Sequence, residues 1–208
     1  MTPQAEAFLG VLQDDGVTDA RVLDAMARVP RERFVDPRFA GRAYDNLPLP
    51  IDCDQTISQP SVVGLMTQEL ALDSRMKVLE VGAGSGYQTA ILAGLCRRVY
   101  ALERHGALAA KAKGRLEALG ISNVILDHGD GSNGWPRHAP FDRILVAAAA
   151  EDPPQPLLDQ LRIGGVMILP IGEEGLVQQL IKVTRHTDGY TYDELSTVRF
   201  VPLLHGFG

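Results

Sequence analysis

The chain has 208 residues, 45% of them hydrophobic and 22% charged, which is enough for one domain that folds on its own core without disulfides or structural metal. Its formal net charge of -6 argues against a nucleic-acid partner, because binding phosphates requires clustered Lys and Arg. The densest basic stretch, Arg28 to Arg33, is interrupted by Glu32 and reads as a solvated face. With two cysteines, Cys53 and Cys96, no disulfide framework is available, and a reducing compartment is the default. The N-terminus lacks the basic start of a signal peptide, and no apolar run reaches membrane-spanning length. A cytoplasmic protein is therefore expected.

Phe8, Leu9, Val11 and Leu12 predict a short amphipathic helix. Thr18 is the expected N-cap of a second helix carrying Val22, Leu23 and Met26, which Pro30 stops. Pro30, Pro37, Pro48, Pro50 and Pro60 then mark a long irregular stretch, and a loop of that length in a compact domain is usually functional. Two parts follow: an extension over residues 1–60 and a main domain over residues 61–208.

From residue 61 helix and strand alternate. A helix over Val62 to Leu72 precedes the strand Lys77 to Val81, and a glycine loop leads to a helix from Tyr87 to Leu95. A second strand, Arg98 to Leu102, is followed by the helix Ala107 to Leu119 and a third strand, Val124 to Leu126. Ile144 to Ala149, Val166 to Pro170, Leu180 to Thr184 and Val198 to Leu203 are the remaining expected strands, with a short helix at Leu157 to Leu161 and a turn at Asp188-Gly189. The class is α/β: a doubly wound, seven-stranded, mostly parallel Rossmann-like sheet, with ligands at the carboxyl ends of the strands.

Three features mark those ends. The first strand runs into Glu80-Val81-Gly82-Ala83-Gly84-Ser85-Gly86. Glycines at alternate positions allow a sharp turn and close approach to a ligand. The dinucleotide fingerprint Gly-x-Gly-x-x-Gly fails, since its last place is Tyr87. The acidic-x-Gly-x-Gly-x-Gly form resembles class I methyltransferases, whose ligand carries an ammonium group that suits an acid near the loop. Glu103 ends the second strand and can accept both hydroxyls of a ribose. Asp130, in Gly129-Asp130-Gly131, can accept from an adenine amino group, while Gly131 lets the backbone come near the ring. Each feature alone has a bland reading as a tight turn or solvated strand end. In order, each after its own strand, they point to S-adenosyl-L-methionine. The five histidines are scattered, with no pair at metal-ligand spacing on a helix.

The irregular stretch contains Ala43-Tyr44-Asp45, Leu49-Pro50-Ile51 and Gln55-Thr56-Ile57-Ser58-Gln59-Pro60; Gly134-Trp135 and Val198-Arg199-Phe200-Val201-Pro202-Leu203 follow later. Together with the glycine loop these closely resemble the protein-L-isoaspartate (D-aspartate) O-methyltransferase family, from about Arg28 to Leu203. The resemblance implies methyl transfer from S-adenosyl-L-methionine, giving S-adenosyl-L-homocysteine, onto the free carboxylate of L-isoaspartyl residues in damaged proteins. It implies that Ser58 is the catalytic serine, that Asp54, Gln55 and Thr56 border the cofactor, and that Val201 and Pro202 help hold the substrate peptide.

The chain departs from the family at Asp52 and Asp54, where glycine is usual or frequent, at Ser61, and in the run Val146 to Ala150, which lacks a hydroxyl and a proline. A carboxylate at Asp54 facing the substrate at about 5 Å would cost roughly 3 kcal/mol at an effective dielectric near 20. It could instead face the cofactor's positive groups, or water. Two other readings therefore stay open: a carboxyl methyltransferase for a dedicated peptide or small acid, and a cofactor-binding protein that has lost catalysis.

Overall fold

The computed structural model describes residues 3–173 and 175–208. Helix α1 spans Pro3–Asp14 and α2 spans Ala20–Arg28. The cap of α2 is Asp19 rather than Thr18: its carboxylate accepts the Arg21 amide at 2.9 Å, while the Thr18 amide donates to the Gln68 side chain. A small antiparallel pair, β1 (Leu49–Pro50) and β2 (Thr56–Ile57), brackets the acidic turn. Helix α3 (Pro60–Glu69) starts at Pro60, whose fixed φ and missing N–H suit a first helical position.

The main sheet has seven strands: β3 (Lys77–Val81), β4 (Arg98–Glu103), β5 (Val124–His128), β6 (Phe141–Val146), β7 (Leu161–Ile171), β8 (Gln178–Arg185) and β9 (Tyr190–Val198). Their order is β5-β4-β3-β6-β7-β8-β9. The first five pair in parallel, and β8 and β9 add antiparallel. Helices α4 (Tyr87–Leu95), α5 (Gly106–Ala118) and α6 (Gln155–Gln160) complete the layers. The pleat sorts side chains by face. Val78, Ala101 and Leu145 pack with Met66 of α3, Leu70 at its C-cap and Leu92 of α4, whereas Leu79, Leu102, Ile144 and Val146 pack with Leu157 and Leu158 of α6 and with Trp135.

The last strand differs from expectation. β9 ends at Val198, and residues 199–203 run on without a ladder. Pro202 has no N–H to donate, so this segment makes a single bridge to Ala149: Ala149 donates to the Val201 carbonyl at 2.8 Å, and Leu203 donates to the Ala149 carbonyl at 2.7 Å. That bridge brings Val201 and Pro202 to the end of β6. The N-terminal elements do not stand apart. Phe8, Leu12, Met26, Phe34, Leu49 and Ile57 share one core with Tyr87, Ala90 and Ile91 of α4.

Chain order reverses at β3, which has β4 on one side and β6 on the other. A crevice opens at such a switch point, beyond the strands' carboxyl ends.

Candidate active site

A cavity occupies that crevice. Its walls include Gly82 and Gly84 of the loop after β3, Glu103 at the end of β4, Gly131 after β5, and Gln55, Thr56 and Ser58 from the N-terminal stretch. The loop turns through left-handed φ values of +85° at Gly82, +54° at Gly84 and +88° at Gly86, conformations that glycine adopts without penalty. Gly86 caps α4 from behind the cavity, against Ala112. Gly131 lies so close to Val81 that a Cβ there would overlap its Cγ1.

Glu103 is 4% exposed and its two oxygens accept one amide each, from Gly84 at 2.8 Å and His105 at 2.9 Å. A carboxylate offers about four lone-pair sites, so one remains on each oxygen for the hydroxyls of a ribose. The geometry fits an adenosine ligand.

Besides Gly86, three expected cofactor contacts stand outside the cavity walls. Asp130 faces its own loop, not the cavity. It accepts from the Ser132 amide and hydroxyl at 2.9 and 2.6 Å, from Asn133 at 2.9 Å and from the Gly206 amide at 2.8 Å. All its acceptor sites are filled, so it acts as a cap, while its neighbour Gly131 lines the cavity. Glu80 points from the opposite side of β3 into the core beneath α4. It is wholly buried, and neither oxygen has a hydrogen-bond partner among the described residues. Burial raises its pKa to about 8; the Thr89 hydroxyl on α4 opposes the shift and the nearby Glu103 charge adds to it. Asp54 is exposed and lies outside the cavity walls, at φ +56°. Its neighbour Cys53 is also left-handed, at +58°, and Asp52 pairs with Lys111 at 2.5 Å. The acidic turn therefore faces water and α5.

A second cavity adjoins the first. Thr56, Ser58, Ala147, Phe200 and Val201 line both. Ser58 and Val201 are thus both on the shared wall, Val201 held there by its carbonyl's hydrogen bond from Ala149. Pro202 lines the first cavity only. Tyr87, Gln88 and Phe200 also line the cavity and were not among the expected contacts: Tyr87 and Gln88 fall in the expected helix from Tyr87 to Leu95, and Phe200 in the expected strand Val198 to Leu203. Trp135 packs edge-on to Tyr100 at 5.9 Å, behind the sheet.

Comparison with known proteins agrees with this geometry. Residues 3–207 match the family model for protein-L-isoaspartate(D-aspartate) O-methyltransferase. A protein of Paracoccus denitrificans named protein-L-isoaspartate O-methyltransferase is 59% identical over 201 residues, 97% of this chain and 93% of its own. One of the same name from Dinoroseobacter shibae is 55% identical over 209 residues, covering 99% and 97%. Among solved structures, a protein-L-isoaspartate O-methyltransferase superposes with a TM-score of 0.86 at 29% identity, over 98% of this chain and 67% of that one. A Plasmodium falciparum structure bearing the same enzyme name, in complex with S-adenosyl-L-homocysteine, superposes at 0.83 and 28% identity, over 95% and 97%. A shared fold, a family model matched over residues 3–207 and relatives of this closeness across nearly every residue lead to one assignment: the chain belongs to the protein-L-isoaspartate(D-aspartate) O-methyltransferase family.

Proposed function

We propose that this chain transfers a methyl group from S-adenosyl-L-methionine to the free carboxylate of L-isoaspartyl residues, and of D-aspartyl residues, in damaged proteins, initiating their repair. The observation that carries this reading is the wall shared by the two cavities. A donor held in the first and a carboxylate entering the second meet at Ser58.

Few side chains are needed for this chemistry. An isoaspartyl carboxylate has a pKa of roughly 4 and is already an anionic nucleophile at neutral pH, so no general base is required. S-adenosyl-L-methionine supplies a methyl group activated by its sulfonium. The protein's task is alignment and exclusion of water. Ser58 donates a hydrogen bond to one carboxylate oxygen and leaves the other directed at the first cavity. Glu103, Gly82, Gly84 and Gly131 hold the nucleoside, with Gln55 and Thr56 closing the near side. The Val201-Pro202 backbone lies alongside the incoming peptide. Residues 1–60 act as an extension that delivers Ser58 to the methyltransferase domain of residues 61–208.

The acidic turn motivates a second reading, a dedicated peptide or small acid as acceptor. Asp52 paired to Lys111 and Asp54 in solvent weaken that motive. Isoaspartyl proteins are the proposed partners, and nucleic acid is not, in keeping with the net charge of -6. No helix among the described residues is long and apolar enough to cross a membrane. Cys53 is free and exposed, which suits the reducing cytoplasm.

The test is base-labile methyl transfer to an isoaspartyl peptide against the same peptide with normal aspartate. Transfer to the first alone supports the proposal. Cofactor binding without transfer to either would turn the assignment toward another acceptor or a lost activity.

A further inference from the structure

Arg31 is the bulkiest of the wholly buried side chains, at 0% exposure, and the carboxylates of the described residues form no ion pair with it. Its Nε donates to the Ala43 carbonyl and its Nη2 to the Ser58 carbonyl, each at 2.8 Å. Its guanidinium lies 4.7 Å from the centroid of the Tyr87 ring. Nη1 and the Tyr87 hydroxyl are buried without a hydrogen-bond partner.

A buried cation held this way is a poor choice for stability alone, since an apolar side chain of similar volume would fill the space without being stripped of water. What the guanidinium adds is direction: a planar fork fixes two acceptors at set angles. One acceptor is the catalytic serine's own carbonyl. It lies between the end of β2 and Pro60, where no ladder holds it and where Pro60 has no N–H to offer. The stacked ring belongs to Tyr87, a wall of the cofactor cavity at the first residue of α4. One side chain thus links the Ser58 peptide, the Ala43 loop and the cofactor wall.

We infer that Arg31 is a positioning residue for methyl transfer: by gripping the Ser58 carbonyl against Tyr87, it sets where the Ser58 hydroxyl stands relative to the cofactor cavity. This rests on the reading of Ser58 given above. Arg31 does not touch the reacting atoms and acts only through Ser58.

A double-mutant cycle tests it, using Arg31→Lys, Ser58→Ala and both together, with kcat and KM for an isoaspartyl peptide, calorimetric affinity for S-adenosyl-L-homocysteine, and Tm. Arg31→Lys keeps the charge and loses the fork. It should lower kcat by about tenfold or more, as misplacing a reacting group does, with peptide KM little changed. In the Ser58→Ala background the same change should cost less than about twofold, because there is no hydroxyl left to place. Equal losses in both backgrounds, or a drop in Tm with kcat kept, would make Arg31 merely structural and overturn the inference. If Ser58→Ala alone leaves kcat unchanged, the reading of Ser58 falls, and this inference with it. Should Arg31→Lys fail to fold, Arg31→Gln, whose amide nitrogen reaches about as far as the arginine Nε and so gives up the Ser58 contact, serves in the same cycle.

Discussion

Glu103 accepts the backbone amide of Gly84 at 2.8 Å, so the carboxylate that ends β4 also pins the glycine loop that follows β3. One group therefore shapes the loop and presents its remaining lone pairs to the cavity. Glu103→Gln should weaken cofactor binding by roughly ten- to a hundredfold, the value of about 1.5–3 kcal/mol for a hydrogen bond to a charged group. Isothermal titration with S-adenosyl-L-homocysteine checks this. Affinity within about twofold of the parent would mean the ribose hydroxyls find other partners.

Gly131→Ala should damage both folding and binding. The new methyl group would overlap Val81, which is itself a wall of the cavity, so the wall must shift to admit it. Overpacking of this kind costs about 1–3 kcal/mol. Urea unfolding should report that loss, and cofactor affinity should fall with it.

Asp54→Asn should leave methyl transfer to an isoaspartyl peptide within about threefold of the parent, because a solvent-exposed charge outside both cavities is well screened. A carboxylate facing the substrate would instead predict a gain of about a hundredfold on neutralisation. The ratio of kcat/KM values decides between the two.

How much of this was legible in the sequence depended on whether a residue's role is local. The alternate glycines announced a turn, and their φ values of +85°, +54° and +88° bear that out. A carboxylate at a parallel strand's end can scarcely avoid the crevice, so Glu103 was also readable. Gly-Asp-Gly gives the same pattern for a cap as for an adenine contact, and the partner that decides, the Gly206 amide, is 76 residues away. Glu80 sits one step of the pleat from the cavity, and the choice of face depends on register. Arg31 sat in what reads as a solvated basic stretch. Arg28 and Arg33 are indeed exposed, but Arg31 turns inward to carbonyls that no local spacing would reveal. The role proposed for Ser58 rests on resemblance and on its place on the shared wall, since nothing about a serine before Gln-Pro distinguishes a substrate contact from a helix start.

Glu80 should make folding stability fall as pH rises. Its pKa is about 8 in the folded state against an ordinary 4.5, because burial disfavours the charged form. Between those values the folded state holds a proton that the unfolded state has released. Stability from this group is therefore fully present below about pH 4.5, and is lost as pH rises toward 8 at up to about 1.4 kcal/mol per pH unit. Glu80→Gln keeps the shape and removes the titration, so its stability should be flatter from pH 5.5 to 7.5 and should exceed the parent's at the upper end. Urea unfolding of both proteins at the two pH values checks this. Parallel changes in the two proteins would mean that Glu80 is ionised throughout and has a partner, such as Thr89, that stabilises its charge.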